Sequence, residues 1–372
     1  MADEGRLASI LLTRTAAWVV LLAALLIGLV VGRLMPRRRQ LATTEEEVAE
    51  IESKLIDYRS MNAALDREDD ELWRFRPSLP PRPLLERLSQ NSLRVVTFAN
   101  LKGGVGKTTS TANIAAALDA AGYRVLVIDL DYQGSLSAMM LRASNQPRLD
   151  ASMADELIAG RADGAWIVEN ARPLTGVLDR TRLITAGYTL ARVENRQMLR
   201  WLARNIEEDI RYNLLRALMA NEVQAAFDVV LIDAAPRLTT GTINALLASS
   251  HFVVPTILDD LSTETLPSFL RQARTLFREA LNPNLELAGV LATMTDQADL
   301  RDHEFLTLQS VREAVTNEWG PTGFVFQTNI PDRATVAKSA GKKLAYVEDV
   351  GPNGARSFFG SAADELVRRI GL

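Results

Sequence analysis

A glycine-rich loop that carries two lysines is the part of the chain best suited to chemistry. Residues 102–109 read Lys-Gly-Gly-Val-Gly-Lys-Thr-Thr. They fit the phosphate-loop pattern G-x-x-x-x-G-K-S/T except at its first position, where Leu101 replaces glycine. Glycines at this spacing let backbone N–H groups turn inward and bind phosphate oxygens. The loop therefore predicts a site for a nucleotide phosphate.

The residues of this loop have separate predicted roles. Lys107 is placed to neutralise the β- and γ-phosphates, and the hydroxyl of Thr108 is placed to bind Mg²⁺. Lys102 is not needed by such a cradle, so its ammonium would reach out of its own site or add charge to it. The other residues predicted to contact the nucleotide are Gly103, Gly104, Val105, Gly106 and Thr109.

Three aspartates follow apolar runs that are typical of buried strands. Val-Leu-Val-Ile leads to Asp129 and, two residues later, to Asp131, whereas Val-Val-Leu-Ile leads to Asp233. Carboxylates at the carboxyl ends of parallel strands face the crevice in which such sheets bind ligands. We predict that Asp131 orients an attacking water and that Asp129 and Asp233 belong to the Mg²⁺ shell. The alternative for Asp129 and Asp131 is that they cap a turn.

The segments around these residues predict an α/β fold. Short runs of β-branched residues alternate with helical patterns, and an alanine-rich helix at 108–121, closed by Gly122, follows the phosphate loop. This order predicts a mostly parallel twisted sheet with helices on both faces. The predicted strands are Arg94–Ala99, Arg124–Asp129, Leu183–Thr185, Phe227–Asp233, His251–Pro255, Glu286–Thr293 and Gly323–Gln327.

The N-terminal region has the composition of a membrane anchor. Residues 16–32 carry no charge, and a helix over 16–35 is long enough to cross a bilayer. Arginines at 33 and 37–39 flank it, so the positive-inside rule places residues 1–15 outside as a short extracytoplasmic head. We expect a single-pass protein of the cytoplasmic (inner) membrane whose catalytic domain lies in the cytoplasm. A cleaved signal peptide and a buried soluble helix are the alternatives.

A helical stalk and a linker are predicted at 36–90, before a catalytic domain at 91–372. Apolar residues between Val48 and Leu72 follow one heptad frame, in which Asn62 takes a core position. A coiled coil, a helix packed on the domain and a solvated stalk all fit this frame. The Pro-rich stretch 73–83 is typical of a semi-rigid linker.

The composition limits both the chemistry and the partners. The 372 residues have a net charge of −4 and no cysteine, which excludes disulfides, thiolate metal sites and cysteine-held iron–sulfur clusters. The two histidines, His251 and His303, lack metal-binding spacing. Binding to DNA is left open but not favoured, because the domain as a whole is not basic. The residues that would form a basic face are Arg333, Lys338, Lys342, Lys343 and Arg356.

Three motifs resemble those of the ParA/MinD family of deviant Walker A ATPases, which are SIMIBI-class P-loop proteins. The first is the loop 102–109, the second is Asp-Leu-Asp-Tyr-Gln-Gly at 129–134, and the third is Asp-Ala-Ala-Pro at 233–236. The likeness runs from Arg94 nearly to the end of the chain. It implies a P-loop NTPase fold, with ATP and Mg²⁺ as cofactors and a homodimer as the active form.

The resemblance also implies a catalytic set. In the ATP-bound dimer of this family the extra lysine contacts the phosphates of the partner subunit, which would be the role of Lys102. Lys107 would act within its own loop, Asp131 would be the switch residue needed for hydrolysis, and Pro331 would lie near the adenine.

The chain departs from the family pattern in its switch regions. Tyr132 stands where these proteins usually have proline, and Leu101 stands where they have glutamine. Ala235 replaces the first proline of Asp-x-Pro-Pro, and Arg237 follows that motif. Because the phosphate cradle is unchanged, these departures bear on hydrolysis more than on binding or dimerisation.

Together these features predict a membrane-anchored ATPase that binds Mg-ATP and forms a nucleotide-sandwich dimer. It would switch the positioning or assembly of an unidentified protein partner or cargo, and hydrolysis would reset it. A bacterial-type tyrosine kinase and a nucleotide-binding scaffold with little hydrolysis are the alternatives. The end of the chain, 365–372, has no tyrosine, which argues against the kinase. The intact lysine, threonine and aspartates argue against the scaffold.

Overall fold

A computed structural model of the chain contains two units, Met1–Phe75 and Arg76–Leu372. The structure describes residues 23, 52, 59, 73, 81–147, 151–203, 208–296, 300–332, 336 and 343–372. Among these residues, no helix combines the length and the apolar character that crossing a membrane requires. The predicted span 16–35, apart from Ala23, and most of the predicted stalk lie outside the described residues. The anchor therefore stays a prediction.

An eight-stranded sheet forms the centre of the second unit. Its strands are β1 (Arg94–Phe98), β2 (Val125–Leu130), β3 (Arg172–Leu174), β4 (Leu178–Ile184), β5 (Val229–Ala234), β6 (His251–Ile257), β7 (Glu286–Thr295) and β8 (Ile330–Pro331). They lie side by side in the order β3-β4-β2-β5-β1-β6-β7-β8. All neighbouring pairs are parallel except β3 and β4. The prediction of a mostly parallel sheet is confirmed.

Helices connect and flank these strands. They are α1 (Arg82–Gln90), α2 (Lys107–Ala120), α3 (Ser135–Ala143), α4 (Ala154–Ile158), α5 (Gly164–Asn170), α6 (Thr189–Leu202), α7 (Asn213–Leu218), α8 (Asn221–Ala226), α9 (Thr240–Ala248), α10 (Asp260–Gln272), α11 (Asp302–Trp319), α12 (Ala345–Glu348) and α13 (Ala355–Ile370). A 3₁₀ turn at Ile210–Tyr212 precedes α7, and a π-helical stretch at Ala273–Leu281 follows α10.

The central strands are buried because nearly all of their residues are apolar. Every residue of β2 and of β5 is buried, as is typical of parallel strands that are covered on both faces. Each of these strands also carries one aspartate, Asp129 in β2 and Asp233 in β5. Burying a carboxylate is costly unless it is paired or hydrogen-bonded, so these two residues mark the site to be explained.

Two parts of the predicted sheet were wrong. The segment Gly323–Gln327 is not a strand, because only an isolated bridge joins Val325 to Val290, and the last strand lies at Ile330–Pro331 instead. The prediction Leu183–Thr185 found only the end of β4 and missed the antiparallel β3. Polar residues such as Asp179 and Arg180 interrupt the apolar pattern of β4, since this strand lies near an exposed edge of the sheet.

The position of β1 explains where a ligand would bind. Strand β1 lies between β5 and β6, and the chain leaves it through the phosphate loop to enter α2. From β1 the chain passes to β2 on one side of the sheet, whereas β6 and β7 lie on the other side. Such a reversal of strand order opens a crevice at the carboxyl ends of the strands, where parallel sheets bind ligands.

Candidate functional site

The phosphate loop ends at a helix N-terminus that no side chain caps. Gly104 and Gly106 have φ angles of 74° and 79°, which favour glycine, and Gly106 directly precedes the first turn of α2. Gly106 itself offers no capping side chain, and no other side chain of the described residues caps the start of α2. A Cβ on Gly103 or Gly104 would meet no atom within 4 Å, so the loop borders open space. Free backbone N–H groups beside open space suit a phosphate.

The ammonium of Lys107 is buried beneath the loop. Only 7% of the residue is exposed, and Nζ donates a hydrogen bond of 3.0 Å to the carbonyl oxygen of Lys102. Burial lowers the pKa of Lys107, while the negative charges of Asp233 and Asp131 act in the opposite direction. A phosphate at the loop would supply the negative charge that a carbonyl acceptor does not.

Thr108 and Asp233 are joined directly. Thr108 Oγ1 donates a hydrogen bond of 2.7 Å to Oδ2 of Asp233, which is 1% exposed. Oδ1 of Asp233 is buried and has no hydrogen-bond partner among the described residues. Burial and the nearby charge of Asp129 raise the pKa of Asp233 well above its usual value. A half-satisfied buried carboxylate beside a hydroxyl fits a hydrated Mg²⁺, which brings positive charge and water donors.

Asp129 is the neighbour of Asp233 on the adjacent strand, but its oxygens bind the loop after β2 and the first turn of α3. The two aspartates are register partners of β2 and β5. Oδ2 of Asp129 accepts hydrogen bonds from N and Oγ of Ser137 at 2.9 and 2.7 Å, and Oδ1 accepts one from the backbone of Asp131 at 3.0 Å. Burial raises the pKa of Asp129 to about 6, against the effect of these hydrogen bonds. Asp129 thus holds the loop after β2, and its metal role stays a prediction.

Asp131 lies one residue beyond β2 and is half-buried. Its Oδ1 accepts a hydrogen bond of 3.0 Å from the backbone N–H of Gln133. It follows β2 directly, at the same edge of the sheet as Asp233 of the neighbouring β5. Burial lowers the pKa of Lys107 and raises that of Asp233, and the charge of Asp131 opposes the first shift and adds to the second. This placement suits the predicted positioning of a water molecule.

The extra lysine, Lys102, binds a carboxylate of its own subunit. Its Nζ lies 2.9 and 2.7 Å from Oδ1 and Oδ2 of Asp259 and 3.3 Å from Oγ of Ser262. Asp259 also caps α10, since it accepts a hydrogen bond from the Ser262 backbone at 2.8 Å. Burial would raise the pKa of Asp259, but the hydrogen bonds from Lys102 and Ser262 together lower it. The side chain of Lys102 therefore does not serve its own loop here.

A cavity beside the loop contains Pro331. It has a volume of about 140 Å³, and its walls include Gly106, Thr109, Met294 and Pro331. Strand β8 reaches this position because Pro331 pairs with Thr295 of β7. The structure thus brings Pro331 next to the phosphate loop, although the two segments are far apart in sequence. A purine held by the loop would have apolar walls here.

Two residues that hold the loop were missed in the sequence. Asn100 accepts a hydrogen bond of 2.9 Å from the backbone of Lys102 and donates one of 2.8 Å to the carbonyl of Pro255. Thr293 Oγ1 lies 3.0 Å from the carbonyl oxygens of both Val105 and Thr256. An asparagine between a buried strand and a glycine loop was a usable signal, whereas nothing distinguished Thr293 from other strand threonines.

Two of the departures from the family pattern, Tyr132 and Arg237, contact each other. The guanidinium carbon of Arg237 lies 5.2 Å from the ring centroid of Tyr132, and that ring lies 6.3 Å from the ring of Tyr188. Glu194 of α6, 5% exposed, accepts a hydrogen bond of 2.8 Å from the backbone of Gly241 in α9. Burial raises the pKa of Glu194, while hydrogen bonds and the charge of Arg237 oppose the shift.

Two other groups predicted from sequence are placed differently. Of the proposed basic face, the structure describes only Lys343 and Arg356. Lys343 pairs with Glu348 at 3.0 Å, and Arg356 stacks on Tyr346 at 5.4 Å.

His303 comes close to Asp296 and Glu304 in the fold, although its sequence spacing gave no such signal. Both oxygens of Glu304 accept backbone hydrogen bonds, at 2.8 and 3.0 Å, at the start of α11, which gives this cluster a structural role.

Comparison with known proteins identifies the family. The AAA_31 family, described as an AAA domain, matches residues 93–287, which contain the phosphate loop, Asp131 and Asp233. The chromosome partitioning protein ParA of Caulobacter vibrioides is 33% identical over 218 residues, which are 56% of this chain and 73% of that protein. The chain belongs to the ParA-like AAA_31 family of P-loop ATPases. Within this family, the chromosome-partitioning ATPase Soj of Thermus thermophilus is 31% identical over 75% of this chain and 97% of that protein.

Solved structures share this family fold. One is cobyrinic acid a,c-diamide synthase of Mycobacterium smegmatis with a bound ATP analogue and magnesium. It is 27% identical to this chain, and the match has a TM-score of 0.55. The match covers 74% of this chain and 95% of the synthase chain. The McdA–ATP complex of Cyanothece matches with a TM-score of 0.59, over 76% of this chain and 98% of the McdA chain. Because the two sequences are only 16% identical, this likeness concerns the fold alone. The prediction of ATP and Mg²⁺ as cofactors agrees with the ligands of the synthase structure.

Proposed function

We propose that this ParA-like protein is a membrane-anchored ATPase that binds Mg-ATP, closes into a nucleotide-sandwich homodimer and positions or assembles a partner complex. Hydrolysis of ATP resets the switch. The partitioning role in the names of the C. vibrioides and T. thermophilus relatives supports a positioning function. The order of β1, the glycine loop and α2 supports ATP as the ligand.

The proposal of a dimer rests on the side chain of Lys102. Lys107 already fills the place of the phosphate-binding lysine beneath the loop, so the loop does not need a second ammonium. Lys102 instead extends to Asp259 at the N-terminus of α10, and its side chain is 17% exposed. An ammonium on a four-carbon stem can exchange this carboxylate for a phosphate of a second subunit, since both are anionic acceptors.

The residues of the chain divide the catalytic work. Bound Mg-ATP supplies the phosphoryl group and the cation that neutralises its charge. The loop N–H groups and the N-terminus of α2 hold the phosphates, and Lys107 adds a buried positive charge. Thr108 and Asp233 bind the cation from neighbouring elements. Asp131 orients the attacking water by accepting its hydrogen bond, in a position fixed by Asp129.

Membrane anchoring is proposed from the sequence of residues 16–35 and their arginine flank. Two anchored subunits share one membrane plane, which raises their effective concentration. A weak ATP-dependent contact is then sufficient to pair them.

Alkaline extraction of membranes tests the anchor. The full chain is expected to stay in the pellet, and a chain without 16–35 is expected in the supernatant. A full chain found in the supernatant contradicts it.

Energy transfer between two labelled populations of the full chain tests the dimer. Because the chain has no cysteine, Glu313→Cys on the exposed side of α11 gives one labelling site. We expect energy transfer in detergent micelles only with Mg-ATP. Lys102→Ala is expected to weaken association about tenfold or more, because a hydrogen bond to a charged group contributes about 1.5–3 kcal/mol.

Asp131→Ala is the matched variant in this experiment. It is expected to keep the energy transfer while it abolishes hydrolysis, since Asp131 acts on the water and not on the dimer contact. ATP-dependent association of Lys102→Ala at the wild-type level would contradict the proposed role of Lys102. Loss of association in both variants would contradict the division between binding and hydrolysis.

A further inference from the structure

Helix α6 exposes a row of arginine and apolar side chains. Arg192, Arg196 and Arg200 recur every four residues, so they lie along one side of the helix, and all three are exposed. Leu199 lies on the same side and is 63% exposed. Tyr188, immediately before the helix, extends the row and is 72% exposed. We name these five residues the α6 stripe.

The charge of the α6 stripe is not balanced by the helix that carries it. Glu194 is the only acidic residue between Thr189 and Leu202, and it points to the opposite, buried side. On α4, which packs against α6, Glu156 is already paired with Arg161 at 2.7 Å. Among the described residues, the three arginines of the stripe form no ion pair. Exposed arginines beside large apolar side chains are typical of interaction sites rather than of ordinary solvated surface.

We propose that the α6 stripe is a docking site for an acidic, amphipathic segment of a partner protein. Guanidinium groups bind carboxylates through paired hydrogen bonds, which gives the arginines a natural ligand. Leu199 and Tyr188 would cover apolar side chains of the same segment. The phosphates of a nucleic acid would satisfy the arginines but leave these two apolar groups exposed, so the composition of the stripe favours a peptide.

The α6 stripe is connected to both switch regions. On the exposed side, the ring of Tyr188 contacts that of Tyr132, the residue after Asp131. On the buried side, Glu194 binds the N–H of Gly241 in α9, the helix that follows Asp233. A partner that shifts α6 therefore acts on the surroundings of both carboxylates. Control of hydrolysis through this site rests on the ATPase function proposed above, whereas docking does not.

Fluorescence anisotropy with a labelled peptide tests docking to the full chain in detergent. The probe is a helical peptide of glutamate and leucine, with leucines on one face. We expect binding that weakens with salt, because it depends on partly exposed charges. The triple variant Arg192→Ala, Arg196→Ala and Arg200→Ala is expected to weaken it about tenfold or more. A matched triple variant with the same loss of charge, Arg82→Ala, Arg312→Ala and Arg368→Ala, is expected to bind as the wild type does.

Other outcomes overturn docking of an acidic peptide. Equal weakening by the two triple variants, or equal binding of a peptide with glutamine in place of glutamate, would show nonspecific attraction. Loss of duplex DNA binding, or of ATP-dependent self-association, in the α6 variant alone would assign the stripe to DNA or to a second copy of the chain. If the peptide binds through the stripe but the chain hydrolyses no ATP, docking is supported and the proposed ATPase function fails.

Discussion

The Nζ atom of Lys102 lies 2.7 Å from Oδ2 of Asp259 in the same subunit. The contact competes with the one proposed for Lys102 in the dimer, since one ammonium serves one site at a time. The side chain of Asp259 is 43% exposed, so solvent screens the pair. Partly exposed ion pairs contribute about 0–1 kcal/mol, which makes this contact easy to exchange.

Replacement of Asp259 by asparagine is expected to favour the dimer. Asparagine still caps α10, because its side-chain oxygen accepts the hydrogen bond from Ser262, but it no longer holds the ammonium by charge. ATP-dependent association should strengthen by up to about fivefold, which corresponds to about 1 kcal/mol. Energy transfer at a series of protein concentrations measures this. Asp260→Asn removes a neighbouring charge of α10 and serves as control; an equal effect of both variants would show that the Lys102 contact is not responsible.

Loss of the Thr108 hydroxyl is expected to weaken ATP binding only when Mg²⁺ is present. Thr108→Val keeps the shape but removes the hydroxyl oxygen that is proposed to bind the cation, and the loss of such a contact to a charged group costs about 1.5–3 kcal/mol. Thr108→Ser should retain most of the affinity. ATP affinity measured with Mg²⁺ and with a chelator tests this. A loss of equal size under both conditions would show that Thr108 does not act through the cation.

A methyl group on Gly241 is expected to disturb the contact between α6 and α9. The added Cβ would lie 2.7 Å from Oε1 of Glu194, which is too close, so Gly241→Ala should destabilise the fold by about 1–3 kcal/mol. Gly360→Ala, in helix α13, meets no atom closer than 3.9 Å and should stabilise it by about 0.5–1 kcal/mol. Urea unfolding of the full chain measures both, and changes of the same sign would contradict the reasoning.

His251 is expected to make the fold less stable as the pH falls. Burial, together with the charges of Arg94 and Arg369, lowers the pKa of His251 from 6.5 to about 4. Between these values the unfolded chain binds a proton that the folded chain does not, so stability is greatest above pH 6.5 and falls as the pH approaches 4. The contribution between pH 8 and pH 5 is roughly 2 kcal/mol.

Urea unfolding at pH 8 and pH 5 measures the effect of this histidine. The difference in the free energy of unfolding between the two pH values should be smaller in His251→Gln by roughly 2 kcal/mol. Equal pH dependence of the wild type and His251→Gln would show that other groups cause the loss.

The sequence was sufficient for features that depend on local chemistry. The loop around Lys107, the apolar strand before Asp233 and the helix that Gly122 closes follow from residue types and spacing, and all three lie where they were expected. Gly122 indeed has a φ of 98°, beyond the last turn of α2. Five of the seven predicted strands were correct to within one or two residues, because central parallel strands are apolar throughout.

Features that depend on distant contacts were not predictable in this way. Lys102 and Asp259 are 157 residues apart, and an aspartate before a helix signals only a cap. Glu194 lies on the buried side of the arginine-rich helix α6. In the sequence, its spacing does not distinguish it from an exposed charged residue. The hydrogen bonds of Asp129 with Ser137 likewise show only in the fold, whereas its sequence position suggested a metal ligand or, as the alternative, a turn cap.

The central position of β1 has a consequence for dynamics. Its residues Val95, Val96 and Phe98 are 0% exposed, and its backbone pairs with β5 and β6 on its two sides. Amides in such a strand exchange with solvent only when the whole unit opens. Bound ATP should therefore slow exchange in β1 by its whole stabilisation of the folded unit, which grows with the ATP concentration relative to Kd, whereas amides near Tyr132 and Arg237 should respond to local motion. Hydrogen exchange would thus separate the strength of nucleotide binding from the movement of the switch.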